Sequence, residues 1–221
     1  FYIAADPSLA SFQSDLPVVV VHTFGTTVPD NGDGVESAMT ILRSAGGTTS
    51  IASPAAYAGG TSVDIRGNSS AEFPKKQYKL ELHDGSGRDI DADLLDMGLE
   101  EDWILYAPGR FDRHLIANPL MQRLAGQVGL YEVDMRFVEL FLAQDDGPVD
   151  MLDYAGIYML SENIKLGDNR IALEDLGPGD DQVPEVTGGY LLKLGRAAED
   201  EYAVGASTRY PFEDRRLDVV R

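Results

Sequence analysis

Cysteine is absent from the 221 residues of the chain. Without cysteine the protein has no disulfide bond, no thiolate ligand for a metal and no cysteine nucleophile. Proteins exported to an oxidising compartment avoid stray thiol oxidation in this way. The absence therefore fits a secreted or cell-envelope protein.

Positive charge is also scarce. Eighteen lysine and arginine residues stand against 37 aspartate and glutamate residues, which gives a formal net charge of −19. A nucleic-acid-binding surface needs an excess of positive charge, because it must neutralise phosphates. We therefore predict that nucleic acid is not a partner.

Long hydrophobic runs are missing as well. The longest apolar run is Leu16–Val21. A transmembrane helix needs about 20 consecutive apolar residues. We predict no membrane span in this chain.

What the sequence does contain is a series of β-branched or alternating segments, which predict strands. The predicted strands are 16–25, 35–42, 62–66, 77–82, 136–143, 155–165, 170–173 and 188–195. The acidic stretch between the fifth and the sixth of these predicts a hairpin with an extended loop.

Three segments predict helices. The clearest runs from Asn118, a good N-cap, through Pro119 to Gly129, with apolar residues four apart on one face. A short acidic helix is predicted at 91–99, and the last charged residues, 210–221, suggest the start of another. With no repeat or linker visible, we predict a single domain, 1–221, of the α+β class, in which a helix packs on a mostly antiparallel sheet.

The most distinctive segment is Ile65–Leu82, IRGNSSAEFPKKQYKLEL, which concentrates lysine and arginine in an acidic chain. Its start, RGNSS, is a turn rich in hydrogen-bond donors, and the following strand places Lys76 on the same face as Tyr78 by parity. An inward lysine needs an anionic partner. Two simpler interpretations stay open: serines that cap a tight turn, and an edge strand solvated by Lys75 and Lys79.

Glu139 is the other unusual residue, because it interrupts the apolar strand RFVELFLA. A carboxylate among phenylalanine, valine and leucine must be paired, neutralised or turned toward a wet cavity. The sequence alone does not choose between these.

In their order along the chain, several segments resemble the spore-coat protein H (CotH) kinase family, a family of atypical protein kinases. The segments that carry the resemblance are IRGNSSAEFPKKQYKLEL, DWILYAPG, the helix ending at GLY, RFVELFLA, GIYMLSENIK and TGGYLLKL. The resemblance covers nearly the whole chain from Leu16 onward.

The resemblance implies a kinase-like N-terminal lobe that binds ATP with magnesium or manganese. RGNSS would face the nucleotide phosphates, and Lys76 would pair with them, with Lys75 as the second choice. Glu139 would orient Lys76 or Arg66, and Glu162 would lie near the hinge or the mouth of the cleft. The nucleotide-binding residues so implied are Arg66, Gly67, Asn68, Ser69, Ser70, Lys76, Glu139 and Glu162.

The family places its catalytic acid and its metal-binding aspartate in a later lobe, and neither has a counterpart in this sequence. The resemblance therefore implies a domain truncated at its C-terminus, with no catalytic or metal-binding residue identified. A complete domain would transfer the γ-phosphate of ATP to serine or threonine of a protein, in a secreted or cell-envelope setting in bacteria. The alternative is a non-catalytic extracellular or cell-surface interaction module on the same scaffold.

Overall fold

The computed structural model describes residues 3–29, 34–67, 69–109, 112–167, 170–173, 179, 182–184, 191–195, 203–204 and 216–220. The chain forms two compact units, Phe1–Asn163 and Ile164–Arg221. No helix in the described residues has both the length and the apolar character needed to cross a bilayer.

Strands dominate the first unit. In chain order they are β1 (Gln13–Ser14), β2 (Val18–His22), β3 (Val35–Leu42), β4 (Thr49–Ser50), β5 (Ala55–Arg66), β6 (Gln77–His83), β7 (Ala92–Asp93), β8 (Leu99–Glu100), β9 (Asp102–Tyr106), β10 (Met135–Ala143) and β11 (Tyr154–Glu162). The described helical elements are the α-helix α1 (Ala117–Gln127) and three short 3-10 helices, Pro7–Ser11, Ser69–Glu72 and Met151–Asp153. The strands predicted at 35–42, 77–82, 136–143 and 155–165 are confirmed, with small shifts of their ends.

Seven of the described strands close into a barrel in the order β10, β11, β9, β6, β5, β3, β2. Neighbours are antiparallel except β2 and β10, whose parallel pairing closes the barrel and sets Val19 beside Leu140. The predicted hairpin of β10 and β11 is confirmed, with Glu139 opposite Ile157.

Inward-facing side chains fill the barrel. Along β6, Tyr78, Leu80 and Leu82 are buried and the residues between them are half-buried, as the two-residue period of a strand requires. Trp103, the only tryptophan of the chain, is fully buried in the same core. The apolar surface of the unit is therefore buried mainly between strands, inside a closed sheet.

A smaller cluster covers the outer face of β2 and β10. There Val20 and Phe141 pack with Leu9 of the first 3-10 helix. The Phe12 ring meets the Phe141 ring edge-on, with 5.0 Å between ring centres. The segment before β2 is thus a cover for this part of the barrel wall.

The two ends of the barrel carry different residues. At one end β5 finishes, β6 and β11 begin, and β9 and β10 finish; we call it the lysine end, because Lys75 and Lys76 lie just before β6. The opposite end carries the start of β9 and the end of β11. Leu94, Leu95 and Met97, from the connection between β6 and β9, join the barrel core.

The predicted α+β class, with a helix packed on a sheet as in a kinase lobe, is wrong. The unit is a mostly β structure with a closed barrel, and none of the eleven described residues of α1 is buried. Leu120, Met121 and Leu124 of α1 are about half exposed. The helix does carry apolar residues at the predicted spacing, but they are not needed for the core, because the inward faces of the strands already form it.

The start of α1 also differs from the prediction. Ile116, not Asn118, is the N-cap residue, and its side chain makes no capping hydrogen bond. Instead the backbone N–H of Ala117 donates to the Asp112 carboxylate at 2.7 Å. A carboxylate five residues earlier thus satisfies one of the free N–H groups at the helix start.

The acidic helix predicted at 91–99 is also wrong, because this segment forms the paired strands β7 and β8. Leu95 and Asp96 have φ values of 58° and 64°, which belong to the left-handed region and cannot continue a right-handed helix. Burial of Leu94, Leu95 and Met97 in the barrel core accounts for this path.

The second unit contains β12 (Leu191–Gly195), β13 (Ala203–Val204) and β14 (Arg216–Val220), which form an antiparallel sheet in the order β12, β14, β13. β12 confirms the described part of the strand predicted at 188–195. The helix predicted to start in the last residues is wrong, because 216–220 is a strand. At 170–173 the structure has an isolated bridge from Leu166 to Ile171 in place of a strand.

Candidate functional site

An open cavity of about 510 Å³ lies at the lysine end of the barrel. It is lined by both Lys75 and Lys76, by inward residues of the barrel such as Tyr78 and Tyr158, and by Asp153 from the connection between β10 and β11. A second cavity of about 480 Å³ shares Lys75 with the first and is otherwise lined by Phe73, Pro74, Ala107, Pro108 and Gly109. Lys75 therefore borders two cavities.

The RGNSS turn begins where β5 ends. Gly67 has a φ of 111°, and a Cβ atom added to it would lie 2.1 Å from the Ser70 hydroxyl oxygen. Only glycine fits such a position. Arg66, the last residue of β5, is half-buried, and burial lowers the pKa of its guanidinium. Asn68 lies outside the described residues, as does the side chain of Ser69.

The Lys76 side chain is hydrogen-bonded to the loop that precedes it. Its ammonium donates to the Ala71 carbonyl at 2.5 Å, and its own carbonyl accepts a hydrogen bond from the Tyr158 hydroxyl at 3.0 Å. Both contacts fix the path of the chain between the RGNSS turn and β6.

Lys75 reaches the wall of the barrel. Its ammonium donates to the Ile157 carbonyl at 2.5 Å and lies over the Tyr158 ring, 4.5 Å from the ring centre. Burial lowers the pKa of Lys75, and the attraction of Glu139 partly offsets this effect. The ammonium also lies close to Gly156, because a Cβ atom added there would be 3.8 Å from the nitrogen, an ordinary van der Waals contact.

Glu139 is held by two hydroxyl groups. Ser14 donates to Oε1 at 2.8 Å and Tyr154 donates to Oε2 at 2.5 Å. The side chain lies on the outer face of the barrel with the ring of Phe141, and only 9% of the residue is exposed. Of the three alternatives for this carboxylate, the structure shows the first. Glu139 is paired, and its partners are the hydroxyl groups of Ser14 and Tyr154.

The structure does not bring Glu162 to the lysine end. Glu162 is the last residue of β11, and its Oε2 accepts hydrogen bonds from the Tyr131 hydroxyl and the Asp134 backbone, both at 3.2 Å. β11 runs nine residues from Tyr154 to Glu162, which spans about 26 Å of strand at 3.3 Å per residue. Of the predicted site residues that the structure describes, Arg66, Gly67, Ser70 and Lys76 are therefore gathered at one end of the barrel.

The connection between β10 and β11 supplies acidic groups at the lysine end. Asp150 caps the 3-10 helix Met151–Asp153 by accepting from the Leu152 N–H at 2.6 Å, and the Asp150 N–H donates to Asp153 at 2.9 Å. Burial raises the pKa of Asp153, and the charges of Asp145 and Asp150 raise it further. The tip of this helix, Leu152, is 94% exposed.

Three carboxylates cluster elsewhere in the described chain, at Glu100, Glu101 and Asp102, within 4.8 Å of one another. Glu100 accepts the N–H groups of both following residues, and Asp102 is ion-paired to Lys79 at 3.1 Å. Protein groups thus engage these carboxylates. They also lie before or at the start of β9, the end of that strand away from Lys75.

Sequence reasoning missed Ser14, Tyr154 and Tyr158. No local pattern identifies them, because each contacts a residue of another chain segment, and two of these contacts span a large separation in the chain. Ser14 meets Glu139 over 125 residues, and Tyr158 meets Lys76 over 82. Lys75 was named as the second choice, and the ring beneath its ammonium and its position between two cavities distinguish it from Lys76.

The family model described as CotH kinase protein matches residues 63–211. The chain belongs to the CotH kinase family. The match begins inside β5, so that it includes the RGNSS turn, both lysines and Glu139 but leaves Ser14 outside.

Family membership makes this a kinase-like domain, as the order of its motifs predicted. Among curated proteins no match to the chain exists. The CotH kinase match therefore gives the class of the protein and not its substrate.

Proposed function

We propose that the cavity at the lysine end binds the phosphates of ATP with Mg²⁺ or Mn²⁺, as part of a protein kinase domain that phosphorylates serine or threonine of a secreted or coat protein. The observation that carries the proposal is the half-buried Lys75 ammonium at the cavity, at the end of the barrel where β5 leads into the RGNSS turn. In a chain of net charge −19, Arg66, Lys75 and Lys76 form a local group of cations.

The geometry favours Lys75 over Lys76 as the phosphate-binding lysine. The Lys75 ammonium has lost part of its hydration, and its two contacts, the Ile157 carbonyl and the Tyr158 ring, carry no net charge. A phosphate would supply the missing negative charge in a site of reduced dielectric, where such a pair is strong. Lys76, whose ammonium is tied to Ala71, would be the second cation.

The RGNSS turn would contribute backbone N–H groups. Turns with a residue in the left-handed region, as at Gly67, present successive N–H groups to an anion. A glycine also lets a phosphate approach the backbone closely.

A divalent ion would enter with the nucleotide. Magnesium keeps several waters and is held mostly by phosphates together with one or two carboxylates. Asp153 is the carboxylate that lines the cavity, so its oxygens fit that role. The cluster of Glu100, Glu101 and Asp102 does not fit, because Lys79 and backbone N–H groups already engage it.

The exported setting and the protein acceptor rest on family membership. The CotH kinase match supports a nucleotide and a protein substrate. The lack of cysteine in the sequence is compatible with export.

One observation favours a second candidate, a non-catalytic interaction module. Ile116, Leu120, Met121, Leu124 and Val128 form an apolar stripe in and beside α1, and each is between 44% and 73% exposed. Exposed apolar patches of this kind mark interaction surfaces. Such a surface is compatible with a domain that binds a protein without phosphorylating it.

Calorimetric titration of ATP with magnesium or manganese tests the proposal. The wild-type chain should bind ATP, and Lys75→Ala should weaken binding at least tenfold, with a smaller loss for Lys76→Ala. Lys79→Ala is the matched control, because Lys79 lies on the same segment but is paired with Glu81 and Asp102.

Two results would contradict the proposal. One is a folded wild-type chain that binds no ATP under either metal, which would favour the interaction module. The other is ATP affinity that Lys75→Ala and Lys76→Ala leave at the wild-type value, which would move the nucleotide away from the lysine end.

A further inference from the structure

The two cavities beside Lys75 differ in their chemistry. Apart from Lys75, the described residues that line the second cavity have neither an ionisable side chain nor a side-chain hydrogen-bonding group; they are Phe73, Pro74, Ala107, Pro108 and Gly109. The first cavity is lined by a second lysine, by the Asp153 carboxylate and by tyrosines. We call the second the apolar cavity and the first the polar cavity.

Two anchored segments form the walls of the apolar cavity. The backbone N–H of Phe73 donates to the Ser70 carbonyl at 3.1 Å. On the other wall, Ala107 directly follows β9 and packs against the barrel core, and Pro108 is buried. Proline fixes its own backbone torsion φ, so Pro74 and Pro108 stiffen both walls. The cavity is therefore largely formed before a ligand arrives, as ligand pockets usually are.

The apolar cavity and the polar cavity adjoin at Pro74 and Lys75, which line both. The Lys75 ammonium is held there by the Ile157 carbonyl and the Tyr158 ring. A ligand that fits both cavities has a flat apolar part next to an anionic part, with the anion at the ammonium. A nucleotide has this arrangement. The volume of the apolar cavity, about 480 Å³, lies within the roughly 300 to 1,000 Å³ that small-molecule pockets have.

We propose that the apolar cavity receives the base of the nucleotide, so that the bound nucleotide lies across Lys75. The base contacts Phe73 and Pro108, and the phosphates extend into the polar cavity toward Asp153. The inference rests on the proposed function, because it takes the Lys75 ammonium as a phosphate contact. It adds a base-binding site and a direction for the nucleotide.

Phe73 is the residue that separates base binding from phosphate binding. It is the only aromatic residue among the described residues that line the apolar cavity. Every base has a π face, and contact of a base with an aromatic side chain is favourable for that reason. A phosphate chain gains nothing from such a ring. Removal of the ring should therefore weaken a ligand with a base and spare a ligand without one.

Calorimetry with two probes tests this difference, each in the presence of magnesium. The probes are ATP and inorganic tripolyphosphate, which has the phosphate chain without the base and the ribose. The wild-type chain should bind ATP at least tenfold more tightly than tripolyphosphate. Phe73→Ala should raise the Kd for ATP about tenfold, as the loss of a base–aromatic contact does, and leave that for tripolyphosphate unchanged. Lys75→Ala should weaken the binding of both probes.

Phe24→Ala is the matched control, because Phe24 is 51% exposed and lines neither cavity. It should leave the affinities for both probes at their wild-type values. Trp103 fluorescence checks that each variant is folded.

A second measurement locates the base on the wild-type chain itself. With ¹³C-labelled phenylalanine rings, bound ATP should show nuclear Overhauser effects between its adenine protons and the Phe73 ring, whose signals are assigned by their loss in Phe73→Leu. Adenine contacts that appear only at other phenylalanine rings would overturn the proposal.

The outcomes separate this inference from the proposed function. Equal wild-type affinities for ATP and tripolyphosphate, or a Phe73→Ala variant that binds ATP as tightly as the wild type, would overturn the base site and leave the phosphate site at Lys75 intact. A folded wild-type chain that binds neither probe would overturn the proposed function, and the base site with it.

Discussion

The Tyr158 ring lies beneath the Lys75 ammonium, with 4.5 Å between the nitrogen and the ring centre. A cation over an aromatic face gains about 0.5 to 2 kcal/mol, more where both are removed from water. The same tyrosine donates its hydroxyl to the Lys76 carbonyl. One buried residue of β11 thereby fixes both consecutive lysines at the mouth of the barrel.

Tyr158→Phe should lower the free energy of unfolding by about 1 kcal/mol, because the Lys76 carbonyl loses its hydroxyl donor while the ring remains. Urea denaturation followed by Trp103 fluorescence measures this change. Tyr57→Phe, whose hydroxyl donates across a longer 3.3 Å, should cost less. An unchanged midpoint for Tyr158→Phe would mean that this hydrogen bond contributes nothing.

Gly67→Ala should destabilise the chain and distort the RGNSS turn, because a φ of 111° strains any L side chain and the new Cβ would overlap the Ser70 hydroxyl. Left-handed backbone alone costs about 1 to 2 kcal/mol. Gly87→Ala is the control, with a φ of 78° and open space around the added Cβ. Thermal unfolding should show the larger loss for Gly67→Ala, and adding Ser70→Ala should recover part of it. Equal losses at both glycines would show that the overlap with Ser70 is unimportant.

Leu80→Ala should cost about 2 to 5 kcal/mol, because it leaves a cavity in the barrel interior, where Leu80 is fully buried. Leu152→Ala makes the same chemical change at a side chain that is 94% exposed and should change stability by no more than about 0.5 kcal/mol. The comparison by urea denaturation isolates burial from side-chain identity. Similar costs at the two positions would contradict the assignment of the core to the barrel interior.

The Tyr154 hydroxyl should ionise at a higher pH than an ordinary tyrosine. Burial, the hydrogen bond to Glu139 and its negative charge raise the pKa of Tyr154 to about 12. Because the folded value lies above the unfolded value of about 10, the stability from this proton is complete below pH 10 and is lost as the pH rises toward 12. NMR of ¹³Cζ-labelled tyrosine, with Tyr154→Phe for assignment, measures it directly.

The Glu139→Gln variant tests how much of the raised Tyr154 pKa is due to the charge of Glu139. The variant removes the charge and should bring the Tyr154 pKa down toward its ordinary value. A Tyr154 pKa that stays at about 12 in Glu139→Gln would assign the whole shift to burial.

Much of the barrel wall was predictable because the relevant signal is local. β6 alternates buried and half-buried residues, and β3 has the predicted bounds, since the two-residue period of a strand is written in the order of its side chains. The order of the motifs was likewise enough to identify the CotH kinase family.

The parts that failed depend on which surfaces meet. α1 has the apolar spacing of a packed helix, but spacing does not specify a partner, and the strands bury their inward faces against one another instead. The segment 91–99 is acidic enough for a surface helix, yet Leu94, Leu95 and Met97 are drawn into the core. In both segments the burial of apolar surface outweighed the local preference of the sequence for a packed or surface helix.

The sequence by itself determined the barrel strands β3, β6, β10 and β11, the family, and the cluster of cations around the RGNSS turn. Only the tertiary structure decided that the sheet closes, through the parallel pairing of β2 with β10, and that the Lys75 ammonium lies over an aromatic ring. The reason is distance along the chain: Ser14 reaches Glu139 across 125 residues. Contacts of that range arise from the closure of the barrel and leave no trace in any local pattern.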